Sequence, residues 1–488
     1  MVTSGHLPKG LALLRAKVAS SILRVLRIEG SSMIKITKFG GSSVSSAGQF
    51  KKVKAIVQAD PSRRFVVVSA AGKRDKFDSK ITDLLYLVNA HLQYHVTCDD
   101  LLGTIGQRFC EIAKELNLSY PISHEFGIFR ELAKRGEYTP EYIVSRGEYF
   151  TGRMMAEYLG FPFVDAADVI TFRADSSIDM DKTSEKLKAA IGEEKCFVLP
   201  GFYGATEDGK IKLLDRGGGD ITGAIVAQCL GADLYENWTD VSGFLTADPR
   251  IVDNPETIRY VTYRELRELS YMGASVLHEE AIFPVKDAGI PLVIKNTNAP
   301  DDPGTVISEE TEPGVAEPLI TGIAGKKDFV AIHVKTNHMS SKVGYIRKTL
   351  SIFERYRVSI EHIPTGIDSF AVVVQGSDVK DCLYSIVADI KSELEPDEIK
   401  IVDRLALIST VGRNMPSRPG TSGRLFGELG HAGINIRMIA QGSEELDIVV
   451  GVDVDDFERA IRVIYGAFVD SDDNIITVEE AEEEVTNE

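Results

Sequence analysis

Shifted by 76 residues, the C-terminal third of this chain falls on itself without a gap, and no other feature restricts its fold as tightly. Residues 358–363 land on 434–439, 370–374 on 446–450, and 330–332 on 406–408. Gly344 meets Gly420, and Phe353 meets Leu429. Self-similarity at a fixed period means one supersecondary unit used twice. Each copy reads strand, glycine turn, helix, strand, strand, helix and a closing strand, which is a ferredoxin-like α+β layer. This reading divides the region into 319–398 and 399–470, with an acidic tail over 471–488.

Ahead of the repeat the rhythm changes. Short buried-strand runs at 64–69, 196–200 and 291–295 alternate with helical segments, one of them covering 225–230 after a glycine turn. Such alternation gives a mostly parallel sheet with helices on both faces and ligands at the carboxyl ends of the strands. At 488 residues the chain is too long for one core. The acidic, Pro/Gly-containing stretch 309–318 is the expected linker, which leaves 33–308 as an α/β domain. Residues 1–32 mix Lys9, Arg15, Lys17, Arg24 and Arg27 with apolar side chains, and read as an extension that is disordered or processed, with Met33 the working start.

Two glycine-rich turns in the α/β region carry the chemistry. The first, Lys38-Phe39-Gly40-Gly41-Ser42-Ser43-Val44, follows a β-branched strand. Its glycines let backbone N–H groups approach an anion, and the lysine adds a positive charge at the same point. The second, Asp215-Arg216-Gly217-Gly218-Gly219-Asp220, opens a helix. There the helix dipole favours an anion, and Arg216 offers a planar fork for a carboxylate or phosphate. Residues 204–210 imitate the start of a P-loop, but Ile211 stands where Ser or Thr is required, and Asp208-Gly209 reads as a hairpin turn.

Composition narrows the partners. A net charge of -18 argues against nucleic acid or an anionic membrane, and no apolar run is long enough to span a bilayer. Five scattered cysteines without a C-x-x-C pair read as reduced thiols in a cytoplasmic protein. His91 and His95, four apart on an expected helix, lack further ligands nearby, so no metal site is assigned.

Taken in order, the opening loop, Arg146-Gly147-Glu148, Arg216-Gly217-Gly218-Gly219-Asp220, Thr239-Asp240-Val241-Ser242-Gly243 and Asp248-Pro249-Arg250 resemble the aspartate kinases, or aspartokinases. The repeat resembles the paired ACT domains of that family, and the absence of a dehydrogenase region resembles its monofunctional form. The resemblance implies an amino-acid-kinase sandwich, ATP and Mg²⁺ as cofactors, and phosphorylation of the L-aspartate side chain to 4-phospho-L-aspartate, the committed step toward lysine, threonine and methionine. An aspartate carboxylate has a pKa of about 3.9, so it is already a nucleophile at neutral pH and needs no general base. Carried over by motif, Lys38 and Asp220 are catalytic, and Ser69, Thr82, Glu148 and Arg216 hold aspartate, Glu148 through its α-ammonium. Lys38, Gly40, Gly41, Ser42, Gly218, Thr239, Asp240 and Arg250 are implied on the phosphate and nucleotide side.

The chain departs from the pattern at Gly219, where many relatives carry Ser, at Leu245, often aromatic, and at Ser275, where some carry Lys. His278 is followed by Glu279 rather than Pro, and the polar stretch 73–80 is longer than in shorter relatives. Lys295 is one residue that could supply the charge Ser275 lacks. The ACT pair implies amino-acid feedback, with Met339, Gly344, Tyr345, Ser359, Glu361 and Thr365 around an effector pocket. Glu361 favours lysine over threonine, because an acid suits an ammonium, and its counterpart in the second copy is Arg437. A homodimer or dimer of dimers is expected. Competing readings are another amino-acid kinase, which would lack the repeat, and a non-catalytic amino-acid sensor, which need not keep Lys38, Glu148, Arg216 and Asp220 together.

Overall fold

The structure, a computed structural model, describes residues 33–192, 195–215, 217–274, 283–310, 317–469 and 475–476. The N-terminal extension, Arg216, Ser275, His278, Glu279 and the acidic tail therefore lie outside the described residues, apart from the short strand at 475–476. The described residues fall into two compact units. One runs to Gly243 and takes up the chain again in the stretch ending at Glu309; the other holds the stretch beginning at Phe244 and the chain from Glu310 onward.

The first unit is built on parallel strands in the order Phe197–Pro200, Phe65–Val68, Lys35–Phe39, Leu234–Thr239 and Leu292–Asn296, with Thr305–Ser308 antiparallel beyond the last. Phe65, Val66, Val67 and Val68 are all buried, the unbroken apolar run of a strand covered on both faces. Register sets Lys38 opposite Val67 on one side and Asn237 on the other, so the carboxyl ends of three strands finish side by side. Helix Ala47–Ala59 starts at Ser46, whose hydroxyl accepts from the Gln49 amide. Helix Pro140–Leu159 starts at Thr139 with proline in its first turn and ends at Gly160 in the left-handed region. Phe109, Phe126, Phe129 and Phe150 pack edge-on or tilted against one another in one core.

Asp208-Gly209 forms the expected hairpin between Tyr203–Thr206 and Ile211–Leu213. The histidine pair needs correcting. Helix Ile81–Gln93 ends before His95, which sits at φ 56°, and His91 Nδ1 pairs with the Thr97 carbonyl at 2.8 Å. The two rings therefore do not stack on one helical face.

The second unit carries an antiparallel sheet in the order Ser369–Gln375, Gly322–Lys335, Glu398–Val411, Asp447–Asp453, Met438–Gln441. Helices Tyr345–Arg355 and Thr421–His431 begin and end 76 residues apart, each behind a left-handed glycine, Gly344 and Gly420. The copies are not separate sheets. Gly322–Lys335 pairs with Glu398–Val411 along nearly its whole length, with irregular register between Lys326 and Ala331, so each 14-residue strand serves both copies. The copies also differ: Met438–Gln441 is a strand, whereas its counterpart is reduced to the bridges His362–Val373 and Thr365–Phe370. Among the described residues no helix is long and apolar enough to cross a membrane.

Candidate active site

Lys38 leaves the central strand at its carboxyl end, with only 8% of its side chain exposed. Its ammonium pairs with Asp220 Oδ1 and donates to Asn237 Oδ1 at 3.4 Å. Asn237 Nδ2 donates in turn to the same Asp220 oxygen at 2.8 Å, and the Tyr235 hydroxyl donates to the Asp220 main-chain carbonyl at 3.0 Å. A lysine buried to this extent needs a countercharge, and Asp220 in the first turn of helix Gly218–Leu230 supplies it.

The glycines bring backbone to backbone. The Gly72 amide donates to the Gly41 carbonyl at 2.8 Å, and a Cβ on Gly72 would lie 2.5 Å from the Gly41 carbonyl carbon. The Gly40 amide donates to the Trp238 carbonyl at 2.9 Å, and Ser43 Oγ meets Thr297 Oγ1 at 2.7 Å, which anchor the first turn. The second turn enters its helix through Gly217 at φ 81°. A Cβ on Gly219 would stand 2.7 Å from Ser69 Oγ and 3.4 Å from Lys38 Cε, so the serine of many relatives does not fit here without a shift. Gly219, Ser69 and Lys38 therefore meet at one point.

Glu148 reaches the same strand end from helix Pro140–Leu159, where a Cβ on neighbouring Gly147 would come within 2.9 Å of Ala70 Cβ. The carboxyl is 4% exposed, and burial pushes its pKa up to about 8, against the opposing pull of the Ala70 amide, Arg146 and the Thr82 hydroxyl. Glu148 Oε2 has no hydrogen-bond partner. Beside it the Arg146 guanidinium lies among three rings, 4.2 Å from the centroid of Tyr142, 4.4 Å from Tyr149 and 5.4 Å from Tyr203. A buried, unpartnered carboxyl oxygen is a position that a cationic ligand group would satisfy.

Not every expected residue gathers here. Lys38, Gly40, Gly41, Ser42, Ser69, Gly218 and Asp220 share the strand ends, and Thr82 and Glu148 flank Ala70. Thr239 and Asp240 end the neighbouring strand, the threonine hydroxyl donating to Asp240 Oδ1 at 3.1 Å. Arg250 belongs to the second unit, where its exposed guanidinium closes on Asp248 at 2.6 Å. Lys295 is committed elsewhere: its ammonium donates to the Asp302 carbonyl at 2.5 Å and lies 5.5 Å from the Trp238 ring centroid. Sequence reading missed Asn237. The available signal was a polar Glu236-Asn237 pair inside a central parallel strand, where apolar residues are the norm.

In the second unit, Met339, Gly344 and Tyr345 lie at the turn into helix Tyr345–Arg355. Ser359, Glu361 and Thr365 lie on or just before the bridged segment, the Glu361 amide donating to the Val373 carbonyl at 2.9 Å. Glu361 Oε2 accepts from the Tyr271 hydroxyl at 2.7 Å. Its counterpart Arg437 instead pairs with Asp453 at 3.1 Å, in an open cavity of about 410 Å³ also lined by Arg404 and Asn435.

The sequence model of the amino acid kinase family matches residues 33–296, and that of the ACT domain matches residues 408–468. Aspartokinase 3 of Bacillus subtilis is 34% identical over 449 residues, which cover 89% of this chain and 98% of that protein. The crystal structure of Clostridium acetobutylicum aspartate kinase is similar at a TM-score of 0.83 and 47% identity, over 89% of this chain and 100% of that one. Aspartokinase III of E. coli, solved in complex with aspartate and ADP, shares the fold at a TM-score of 0.68 and 24% identity, over 89% and 99% of the two chains.

Proposed function

We propose, from the premise that this chain belongs to the amino acid kinase family and within it to the aspartokinases, that Lys38 and Asp220 form the centre at which it phosphorylates L-aspartate. An aspartokinase transfers the γ-phosphoryl group of ATP to the aspartate side chain. A carboxylate oxygen bonds to phosphorus, the bond to the ADP oxygen breaks, and 4-phospho-L-aspartate and ADP leave. The observation that carries the assignment is the meeting of Lys38, Ser69 and the Gly219 backbone at one point beside Asp220.

The difficulty of the reaction is bringing an anion up to a polyanion. Catalysis therefore rests on charge neutralisation and in-line positioning rather than proton transfer. Lys38 lies against the transferring group, and the amides of Gly41, Gly218 and Gly219 hold its oxygens, the Gly40 amide being taken by the Trp238 carbonyl. Glu148, once ionised, receives the α-ammonium of aspartate, and Arg216 takes a carboxylate. Among the described residues no three His, Cys, Asp or Glu side chains cluster to cage a metal. In this reading Mg²⁺ arrives on the nucleotide phosphates. Bound there, Mg²⁺ supplies further neutralisation of phosphate charge.

Lysine acts as feedback effector in this reading, its ammonium directed to Glu361, and the chain works as a homodimer or dimer of dimers through its ACT region. The test is ATP turnover in hydroxylamine, which traps an acyl phosphate as a coloured hydroxamate, with aspartate or glutamate and with or without lysine and threonine. Signal with aspartate alone, abolished by Lys38→Met in a folded protein and reduced by lysine, is the expected result. An unchanged Lys38→Met rate removes Lys38 from the reaction, and signal with glutamate reassigns the substrate.

A further inference from the structure

We infer that Asn237 is a positioning residue for the phosphoryl-transfer centre, setting the direction in which Lys38 presents its charge; this rests on the reading of Lys38 given above. Asn237 is 3% exposed and faces Lys38 across the parallel pair Lys35–Phe39 and Leu234–Thr239. An amide buried there costs free energy unless its polar atoms are bonded. Both are: Oδ1 accepts from Lys38 at 3.4 Å, and Nδ2 donates to Asp220 Oδ1 at 2.8 Å.

The chemistry of the partners fixes which way round the amide sits. An ammonium only donates and a carboxylate only accepts, so the carboxamide must turn its oxygen to Lys38 and its nitrogen to Asp220. Neither leucine, which has no polar atom, nor an ionised carboxylate, which has no donor, can fill both places. Tyr235 lies two residues back on the same face and holds the Asp220 main-chain carbonyl at 3.0 Å, so one strand grips Asp220 twice. Glu236, between them on the opposite face, is taken up by Arg63 at 2.8 Å and by the Trp238 indole at 2.9 Å.

The consequence concerns the ammonium. Of its three N–H bonds, Asp220 takes one and Asn237 another, which leaves one to be aimed at a ligand. Without Asn237 the lysine is held by Asp220 alone, and its ammonium can swing about that single contact. A cation that wanders weakens the transition state more than substrate binding, so the loss should fall on kcat.

The experiment measures hydroxamate formation by the full chain at saturating aspartate and MgATP, across pH, for the parent and for Asn237→Leu, Asn237→Asp and Lys38→Met. Loss of one hydrogen bond to a charged group predicts a kcat for Asn237→Leu lower by roughly 10- to 100-fold, with the aspartate KM within about twofold of the parent. Asn237→Asp carries the sharper signature. Its introduced carboxyl, while protonated, donates to Asp220 and accepts from Lys38 as the amide does. Once ionised it adds a second negative charge beside Asp220, so kcat should fall as pH rises, along a limb absent from the parent. A packing role alone would not produce that limb. Should Asn237→Leu fail to fold, Asn237→Asp decides, because it compares one protein with itself across pH. An inactive Lys38→Met beside a parent-like kcat in Asn237→Leu, or a parent-like pH profile in Asn237→Asp, overturns the role of Asn237 and leaves that of Lys38 standing. An active Lys38→Met overturns the reading beneath both.

Discussion

If Glu148 receives the α-ammonium of aspartate, as proposed, aspartate binding becomes a proton-releasing event. Its carboxyl is raised from 4.5 to about 8, first by burial, so at pH 7 it is roughly nine-tenths protonated in the free protein. The α-ammonium of aspartate needs the ionised form. Binding at pH 7 should therefore release about 0.9 proton, and apparent affinity should rise roughly tenfold per pH unit until about pH 8 and then level off. Stability moves the other way. Between 4.5 and about 8 the unfolded chain has lost this proton and the folded one has kept it, so stability falls as pH rises across that window. At about 1.4 kcal/mol per tenfold in proton affinity, the loss is on the order of 5 kcal/mol. Calorimetry of aspartate binding in two buffers of different ionisation enthalpy reads the proton, and urea melts at about pH 5 and pH 9 read the stability. Glu148→Gln should bind aspartate weakly with no pH dependence in this range, and should lose the fall in stability. Aspartate binding to the parent without proton release, at an affinity flat from about pH 6 to pH 8, would refute the reasoning.

Three further outcomes follow from the geometry. Gly72→Ala places a Cβ 2.5 Å from the Gly41 carbonyl carbon and 2.8 Å from the Ser42 nitrogen, backbone that cannot give way, so it should cost about 1–3 kcal/mol in a urea melt and raise the nucleotide KM. In the second unit, fully buried Glu265 closes the capping box of helix Tyr263–Tyr271, accepts from Thr321 and pairs with Arg413 at 2.5 Å; Glu265→Ala should cost about 3–5 kcal/mol, read as a lowered unfolding midpoint. The Tyr271 hydroxyl occupies Glu361 Oε2, so Tyr271→Phe should free that carboxylate and lower the lysine concentration for half-inhibition by roughly 2- to 10-fold, whereas an unchanged or raised value would separate Glu361 from the effector.

What could be read in the sequence was what local chemistry dictates. The glycine turns announce themselves because only glycine brings backbone donors so close to a ligand or to one another, and Gly41 and Gly72 meet for that reason. The 76-residue repeat survives in the two helices that begin behind Gly344 and Gly420. Hidden from the sequence were roles that depend on distant pairing. Asn237 reaches Lys38 across 199 residues, and only the strand register sets them opposite one another. The T-x-x-E spacing of Thr262 and Glu265 marks a helix start, but nothing local reveals that the same carboxylate also holds Arg413, 148 residues on. Likewise, periodicity predicts two ferredoxin-like copies without showing that Gly322–Lys335 and Glu398–Val411 are each shared between them.

The charge state of the site at rest ties these points together. Lys38 is matched by Asp220, whereas burial favours the neutral form of Glu148 and leaves the buried Arg146 guanidinium resting on the faces of Tyr142, Tyr149 and Tyr203. Matching Lys38 with Asp220 avoids the cost of leaving that buried ammonium unpaired in the free protein. In the proposed reading aspartate changes the balance, because its α-ammonium brings a positive charge and Glu148 gives up a proton to match it. The bound side chain is then the one carboxylate without a fixed partner in this reading, and the remaining N–H of Lys38 and the glycine amides, facing the transferring group, supply the attraction that lets the two anions meet. A second ionised carboxylate beside Lys38 would spend that attraction on the protein itself. An amide at position 237 gives Lys38 an acceptor and Asp220 a donor while adding no charge, which is why the side chain there matters more than its burial alone suggests.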